Sequence, residues 1–223
     1  MHFDTLIIGA GAAGMMCAAN CGGRVVIVDH AKAPGEKIRI SGGGRCNFTN
    51  MHCTPQAFLS QNPHFAKSAL ARYTQWDFVE LVDQHGIKWH EKTLGQLFCD
   101  VSAKEIVTML RSLMQDAGVE LHLQTSVKDL VKTESGYAAT LSGPNGDKPI
   151  TAQNLVVASG GKSIPKMGAT GFAYDIARQF DLALIETQPA LVPFTFAENR
   201  FTPLAGVATP ASVTAQGTSF DEA

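Results

Sequence analysis

The sequence predicts an α/β fold: a parallel sheet with an antiparallel meander and a helical insert, followed by the start of a second, β-rich domain. Three observations carry this. Short apolar runs alternate with helical patterns near the N-terminus, a Gly-rich turn joins the first strand to the first helix, and proline-punctuated β-like runs follow Leu184. Strands that alternate with helices pair in parallel and bury both faces.

The first element is the apolar run Thr5-Leu6-Ile7-Ile8, which enters Gly9-Ala10-Gly11-Ala12-Ala13-Gly14. A helix continues through Met15 to Ala19, and Val25-Val26-Ile27-Val28 forms the next strand, ending at Asp29. This is G-x-G-x-x-G in a complete βαβ context, with an acid 20 positions past the first glycine. That pattern is the Rossmann-like dinucleotide fingerprint. Gly9 permits the tight turn, Gly11 lets a pyrophosphate approach the backbone, and Gly14 lets helix and sheet pack closely. The helix N-terminus, with Ala12 and Ala13, turns its N–H groups to the phosphates. Asp29 accepts from ribose hydroxyls and disfavours a 2′-phosphate, and His30 adjoins it.

A loop with Pro34-Gly35 leads through Lys37 to Ser41-Gly42-Gly43-Gly44-Arg45-Cys46-Asn47. Three consecutive glycines make a poor helix or strand interior. They suit a backbone that must pass close to something flat or charged. From Pro55 to Gly118 the pattern is helical, with apolar faces through Phe58, Phe65, Leu70 and Tyr73 and again through Phe78 to Val82. Two short strands, Ile87–His90 and Gln96–Cys99, interrupt it. Ser102 with Glu105 predicts a capping box, and that helix stops at Gly118. Residues 119–123 predict a strand beside the second one. Residues 126–146 predict the meander, and Leu155–Val157 a further buried strand, ending in Ser159-Gly160 where a nucleotide sits. A helix opens at Gly168-Ala169-Thr170-Gly171. The β-like runs Leu191–Phe196 and Ala211–Ala215 start the second domain, and the sequence stops without a closing element, which predicts a truncated chain. The expected boundaries are 1–188 and 189–223.

Hydrophobic residues make up 45% and charged residues 17% of the 223 positions, a soluble globular balance. The net charge of −2 argues against a nucleic-acid partner or a membrane surface. The apolar N-terminus carries Asp4 and three glycines, not a signal peptide's basic start, so a cytoplasmic location is expected. The five cysteines lack scaffold or zinc spacing, and no metal site is expected. Oligomeric state is not readable.

The acid is followed by a second Gly-rich loop within about 15 positions, then a helical insert and a meander. NAD domains usually continue into regular βαβ units, so this order selects FAD. The motifs G-A-G-A-A-G at 9–14 and G-E-K-I-R-I-S-G-G-G-R-C-N-F-T-N at 35–50 resemble the BaiN/YhiN-type flavoproteins, a family of NAD(P)/FAD-dependent oxidoreductases with two dinucleotide-binding domains. Residues 158–171, 189–194 and 204–208 support the resemblance. One departure is Phe172-Ala173, where the family commonly carries an acid and a glycine. The resemblance implies FAD, NAD(P)H as reductant, and a whole protein nearly twice this length. It places Val127 against the adenine by backbone contact. Lys37 and Arg45 are candidates for pyrophosphate or flavin contacts, and Ser41, Gly43, Gly44, Cys46 and Asn47 run beside the flavin or its ribityl chain.

The expected activity is hydride transfer through flavin N5 to a small-molecule acceptor, with a conjugated enone implied by some relatives. No catalytic residue is assigned. Two alternatives stand beside it. One is a flavin disulfide reductase, although Cys46 and Cys53 are spaced C-x₆-C, about 10 Å apart on a helix and beyond disulfide reach. The other is a non-catalytic or macromolecule-serving flavoprotein, such as one acting on tRNA.

Overall fold

A computed structural model describes residues 1–189, 196, 198, 200–207 and 209–222. In chain order the elements are β1 (His2–Ile8), α1 (Ala12–Asn20), β2 (Val25–Val28), α2 (Glu36–Ile40), β3 (Asn47–Asn50), α3 (Lys67–Arg72), α4 (Gln75–Gln84), β4 (Trp89–Glu91) and β5 (Gln96–Cys99). Then come α5 (Ala103–Asp116), β6 (Glu120–His122), β7 (Ser126–Thr133), β8 (Gly136–Gly143), β9 (Gly146–Val157), α6 (Phe172–Gln179), β10 (Ala211–Ala215) and β11 (Thr218–Glu222).

The main sheet runs β6-β2-β1-β9-β8-β7. Its first four strands are parallel, with Ile7 opposite both Ile27 and Val156. β8 and β7 extend it antiparallel. β2 shows why its sequence reads as an unbroken apolar run. Val25 and Ile27 pack with Met15 and Ala18 of α1 and with Val107 and Leu110 of α5. Val26 and Val28 pack on the other face with Val127, Leu141, Ile150 and Ile176. A parallel strand covered on both faces needs apolar side chains at every position.

The structure joins what the sequence separates at β9. Its polar first half pairs with β8 through Asn154-preceding residues such as Ile150 and Ala152, and its apolar end pairs with β1. One 12-residue strand thus belongs to both the meander and the parallel sheet. The helical reading of residues 55–66 is also corrected. Ser60 Oγ accepts from Asn62 N–H at 3.1 Å, and Asn62 Oδ1 accepts from His64 N–H at 3.0 Å. Such local side-chain bonds compete with a helix, and the helix begins only at Lys67.

α5 starts as expected: Ser102 Oγ accepts from Lys104 N–H, and Glu105 accepts from Ser102 N–H, both at 3.2 Å. A second capping box, Thr74 with Asp77, opens α4. A small sheet, β3-β5-β4, stands apart from the main one. Packing separates Met1–Leu184 from Ile185–Ala223. The latter unit holds the hairpin β10–β11, turned by Gln216 and Gly217, both at positive φ, the two-residue geometry that matches strand twist. The expected run Leu191–Phe196 lies outside the described residues except for Phe196.

Candidate dinucleotide site

The groove forms where β1, β2 and β9 end. Each fingerprint glycine has a distinct steric reason. Gly9 sits at φ +108, and a Cβ there would lie 2.4 Å from the Ala158 carbonyl oxygen. A Cβ on Gly14 would lie 1.9 Å from the Gly9 oxygen. A Cβ on Gly11 would meet nothing within 4 Å. Two glycines therefore close the helix–strand seam, while the third borders open space at the helix N-terminus. α1 has no acid in its first turn and no side-chain cap, so the first N–H groups lack helical partners and suit an anion.

Asp29 is the hinge of the site. Its Oδ2 accepts from Ala10 N–H at 2.7 Å, and its Oδ1 accepts from Ala31 N–H at 2.8 Å. The carboxylate ties the β1 turn to the β2 exit, and each oxygen keeps a second acceptor position for a ribose hydroxyl. His30 Nδ1 stands 3.5 Å from Oδ1.

Two chambers share Gly9, Asp29, His30, Ser159 and Gly168. One, of about 320 Å³, is lined by Val127, Thr125, Thr170 and Phe172. The other, of about 290 Å³, runs past Gly11, Ala12, Ala13, Lys37 and Gly160. Together they make an extended cleft with a mostly apolar end and a backbone-rich middle. The sequence did not point to Thr125, whose hydroxyl donates to the Leu123 carbonyl. Nor did it assign Phe172, the position where the chain departs from the family motif.

The second Gly-rich turn continues from α2. Gly42, Gly43 and Gly44 all have positive φ, and a Cβ on Gly42 would lie 2.5 Å from the Phe98 ring. Ser41 Oγ donates to the Ile38 carbonyl at 2.8 Å, ending α2. Lys37 Nζ reaches Ser163 Oγ at 3.3 Å, spanning from α2 to the loop after β9. Arg45 is exposed. Asn47 Nδ2 donates to Gln96 Oε1 at 3.3 Å. Cys46, at φ +53, is buried with Cys99 in the core. Burial pushes its thiol up, partly offset by the Ser41 hydroxyl. Burial likewise pushes Cys99 up to about 12. Lining of the two chambers stops at Ile38 in this segment, so Ser41 to Asn47 are joined to the groove only through α2, and the Cys46 side chain faces the interior.

Fold and groove define a Rossmann-type dinucleotide-binding domain. The HI0933-like protein Rossmann domain family matches residues 3–222, and the chain belongs to it. It is 52% identical, over 99% of its length and 56% of the relative's, to the "Ribosomal RNA dihydrouridine synthase" of Escherichia coli (strain K12). It is 47% identical, over 98% of its length and 56% of the relative's, to the protein of that name in Haemophilus influenzae. The chain thus spans about half the length of these curated relatives. Among solved structures, the open conformation of a flavocytochrome c3 fumarate reductase superposes with a TM-score of 0.55 at 22% identity, covering 80% of this chain and 40% of that one; this likeness concerns the fold.

These relatives correct two expectations. A small-molecule acceptor and the absence of a nucleic-acid partner do not fit a chain half identical to proteins named for acting on ribosomal RNA. The alternative of a flavoprotein serving a macromolecule stands closer. Among the described residues, no helix is long and apolar enough to cross a membrane.

Proposed function

We propose that this chain is the FAD-binding part of an RNA dihydrouridine synthase, an FAD-dependent oxidoreductase acting on uridine in ribosomal RNA. The observation that carries the reading is the 52% identity to a ribosomal RNA dihydrouridine synthase across 99% of the chain. The groove supports it: the open space over Gly11 and the shared acceptor positions of Asp29 suit a dinucleotide. Residues 1–188 form the FAD domain in this proposal, and residues 189–223 begin the β-rich one. With ribosomal RNA as substrate, the protein works in the cytoplasm.

In the proposed complex Gly9, Gly11, Ala12, Ala13 and Gly14 border the pyrophosphate, with Lys37 beside them. Asp29 and His30 hold the adenosine ribose, and Val127 lines the adenine chamber. Ser159 and Gly160 close the far wall. Ser41, Gly43, Gly44, Arg45, Cys46 and Asn47 supply the turn at the flavin end. When bound, reduced flavin supplies the hydride for the uracil C5=C6 bond. A proton completes the addition, and NAD(P)H restores the reduced cofactor. Uracil C5=C6 is conjugated to C4=O, so a donor at O4 would stabilise the charge that hydride addition creates.

The test is genetic and chemical. Deleting the gene should abolish a dihydrouridine in ribosomal RNA, read by mass spectrometry of digested RNA, and the full-length protein with NADPH or NADH should restore it on that RNA in vitro. Unchanged dihydrouridine in the deleted strain overturns the reading.

A further inference from the structure

We propose that the side-chain amides of Asn47 and Gln96 hold the uracil edge of the target uridine, an assignment that rests on the dihydrouridine synthase reading. The argument begins with register. In β3-β5-β4, Phe98 lies opposite both Asn47 and His90, so these three share a face, and Gln96, two residues along β5, shares it too. The other face is the core side, where Phe48, Trp89 and Cys99 pack.

The polar face abuts the Gly-rich turn. Gly42 lies so close to Phe98 that only a hydrogen fits between them, and a Cβ on Gly42 would also lie 2.7 Å from Asn47 N. That turn continues directly from α2, whose Glu36, Lys37 and Ile38 line the dinucleotide groove. The chain therefore runs from the groove lining through α2 and the Gly-rich turn to the amide pair within a few residues. Phe98 is held in place beneath it: Lys92 Nζ sits 4.4 Å from the ring centroid, and His90 stacks at 6.3 Å with planes 19° apart. His90 is itself fixed by Asp100 at 2.6 Å.

The pair has the hydrogen-bonding complement of uracil. Asn47 Nδ2 donates to Gln96 Oε1 at 3.3 Å, an orientation assigned from this network. The Asn47 carbonyl and the Gln96 NH₂ have no other partner among the described residues. An amide offers two donors and two acceptor positions, so the pair retains an acceptor for uracil N3–H beside a donor for O4. Asn47 is exposed and Gln96 half-buried, which leaves both within reach of a base. Lys92, above Phe98, puts positive charge on this face for a neighbouring phosphate, and Arg45, two residues before Asn47, is exposed. A cross-strand amide pair that only fixed the β3 register would hold the strand but would not sense the base.

The experiment uses the full-length, FAD-loaded protein and ribosomal RNA transcripts made with uridine or 4-thiouridine, whose sulfur is a poor acceptor. With wild type, sulfur should lower kcat/KM about tenfold, the worth of one good hydrogen bond. Gln96→Met should lower kcat/KM on the uridine transcript by a similar factor, and sulfur should then cost nothing more, because the contact is already gone. Gln96→Glu keeps the shape, loses the donor, and should behave alike; FAD absorbance and thermal midpoint identify a variant that fails to fold. An undiminished sulfur penalty in a folded Gln96 variant overturns the assignment while the enzyme's function stands. Wild-type protein inactive on the uridine transcript overturns the function and the assignment with it.

Discussion

Gly14 and Gly11 should separate folding from cofactor binding. A Cβ at Gly14 would lie 1.9 Å from the Gly9 oxygen, against 3.4 Å for ordinary contact, a shortfall of 1.5 Å. Neither partner can rotate away, because both are backbone. Gly9 cannot retreat either, since its own Cβ position lies 2.4 Å from Ala158. Helix α1 must then slide off the sheet, loosening Met15 and Ala18 in the core. Overpacking of this kind costs about 1–3 kcal/mol or more, and the upper end is expected for Gly14→Ala. At Gly11 the outcome inverts. Its φ of −82° suits alanine and its Cβ meets no protein atom. Gly11→Ala should leave apoprotein stability within about 1 kcal/mol. The new methyl occupies the space assigned to the pyrophosphate and should weaken FAD about 10- to 100-fold by lengthening charge-assisted hydrogen bonds. Urea unfolding of apoprotein and FAD titration followed by flavin fluorescence read the two effects separately. Wild-type FAD affinity in Gly11→Ala would refute the placement of the cofactor. Wild-type stability in Gly14→Ala would refute the seam.

Asp29→Ala removes the acceptor for two backbone N–H groups and should destabilise the apoprotein by about 2–3 kcal/mol, measured by urea midpoint; an unchanged midpoint contradicts the hinge. Ser102→Ala removes the α5 cap and should cost about 1 kcal/mol without altering FAD affinity. Cys99 should resist iodoacetamide at pH 8, where Cys21, exposed at the end of α1, reacts; peptide mapping decides. Its raised pKa also fixes a pH trend. The folded state holds the thiol proton more tightly than the unfolded chain, so this stability is complete below 9.0 and lost as pH rises toward about 12. Unfolding midpoints should therefore fall across that window, and more steeply than in Cys99→Ala.

The β1-α1-β2 unit was legible because its constraints are local: three glycines, an apolar helix face and an acid at fixed spacing. The meander and the parallel placement of β6 followed from period-2 burial and short connections. What escaped depends on distant partners. Asn47-Phe48-Thr49-Asn50 reads as a loop after three glycines and becomes β3 only by pairing with β5, some 49 residues on. β9 was split because its polar half faces solvent and its apolar half is covered by sheet neighbours. In the site, the glycines and Asp29 announced themselves by pattern, whereas Thr125, Phe172 and the Lys37–Ser163 contact are assembled from separate segments.

Net charge was a poor ground for excluding a nucleic-acid partner, because it is an average and electrostatic recognition is local. At physiological ionic strength charges farther apart than about 8 Å are largely screened. A chain total of −2 therefore says little about one surface. Residues 30–50, which begin on the groove lining and run on through α2 to β3, carry Lys32, Lys37, Arg39 and Arg45 against the single carboxylate of Glu36. The loop from 158 to 171 carries Lys162 and Lys166 and no acid. The two loops that flank the groove are thus positive within an acidic chain. A pyrophosphate demands that much and no more near Gly11, but it leaves Arg45, Lys162 and Lys166, all exposed, to act on something further out. On the RNA reading proposed above, a polyanion passing the groove would meet that charge distribution, and a small neutral acceptor would have no use for it.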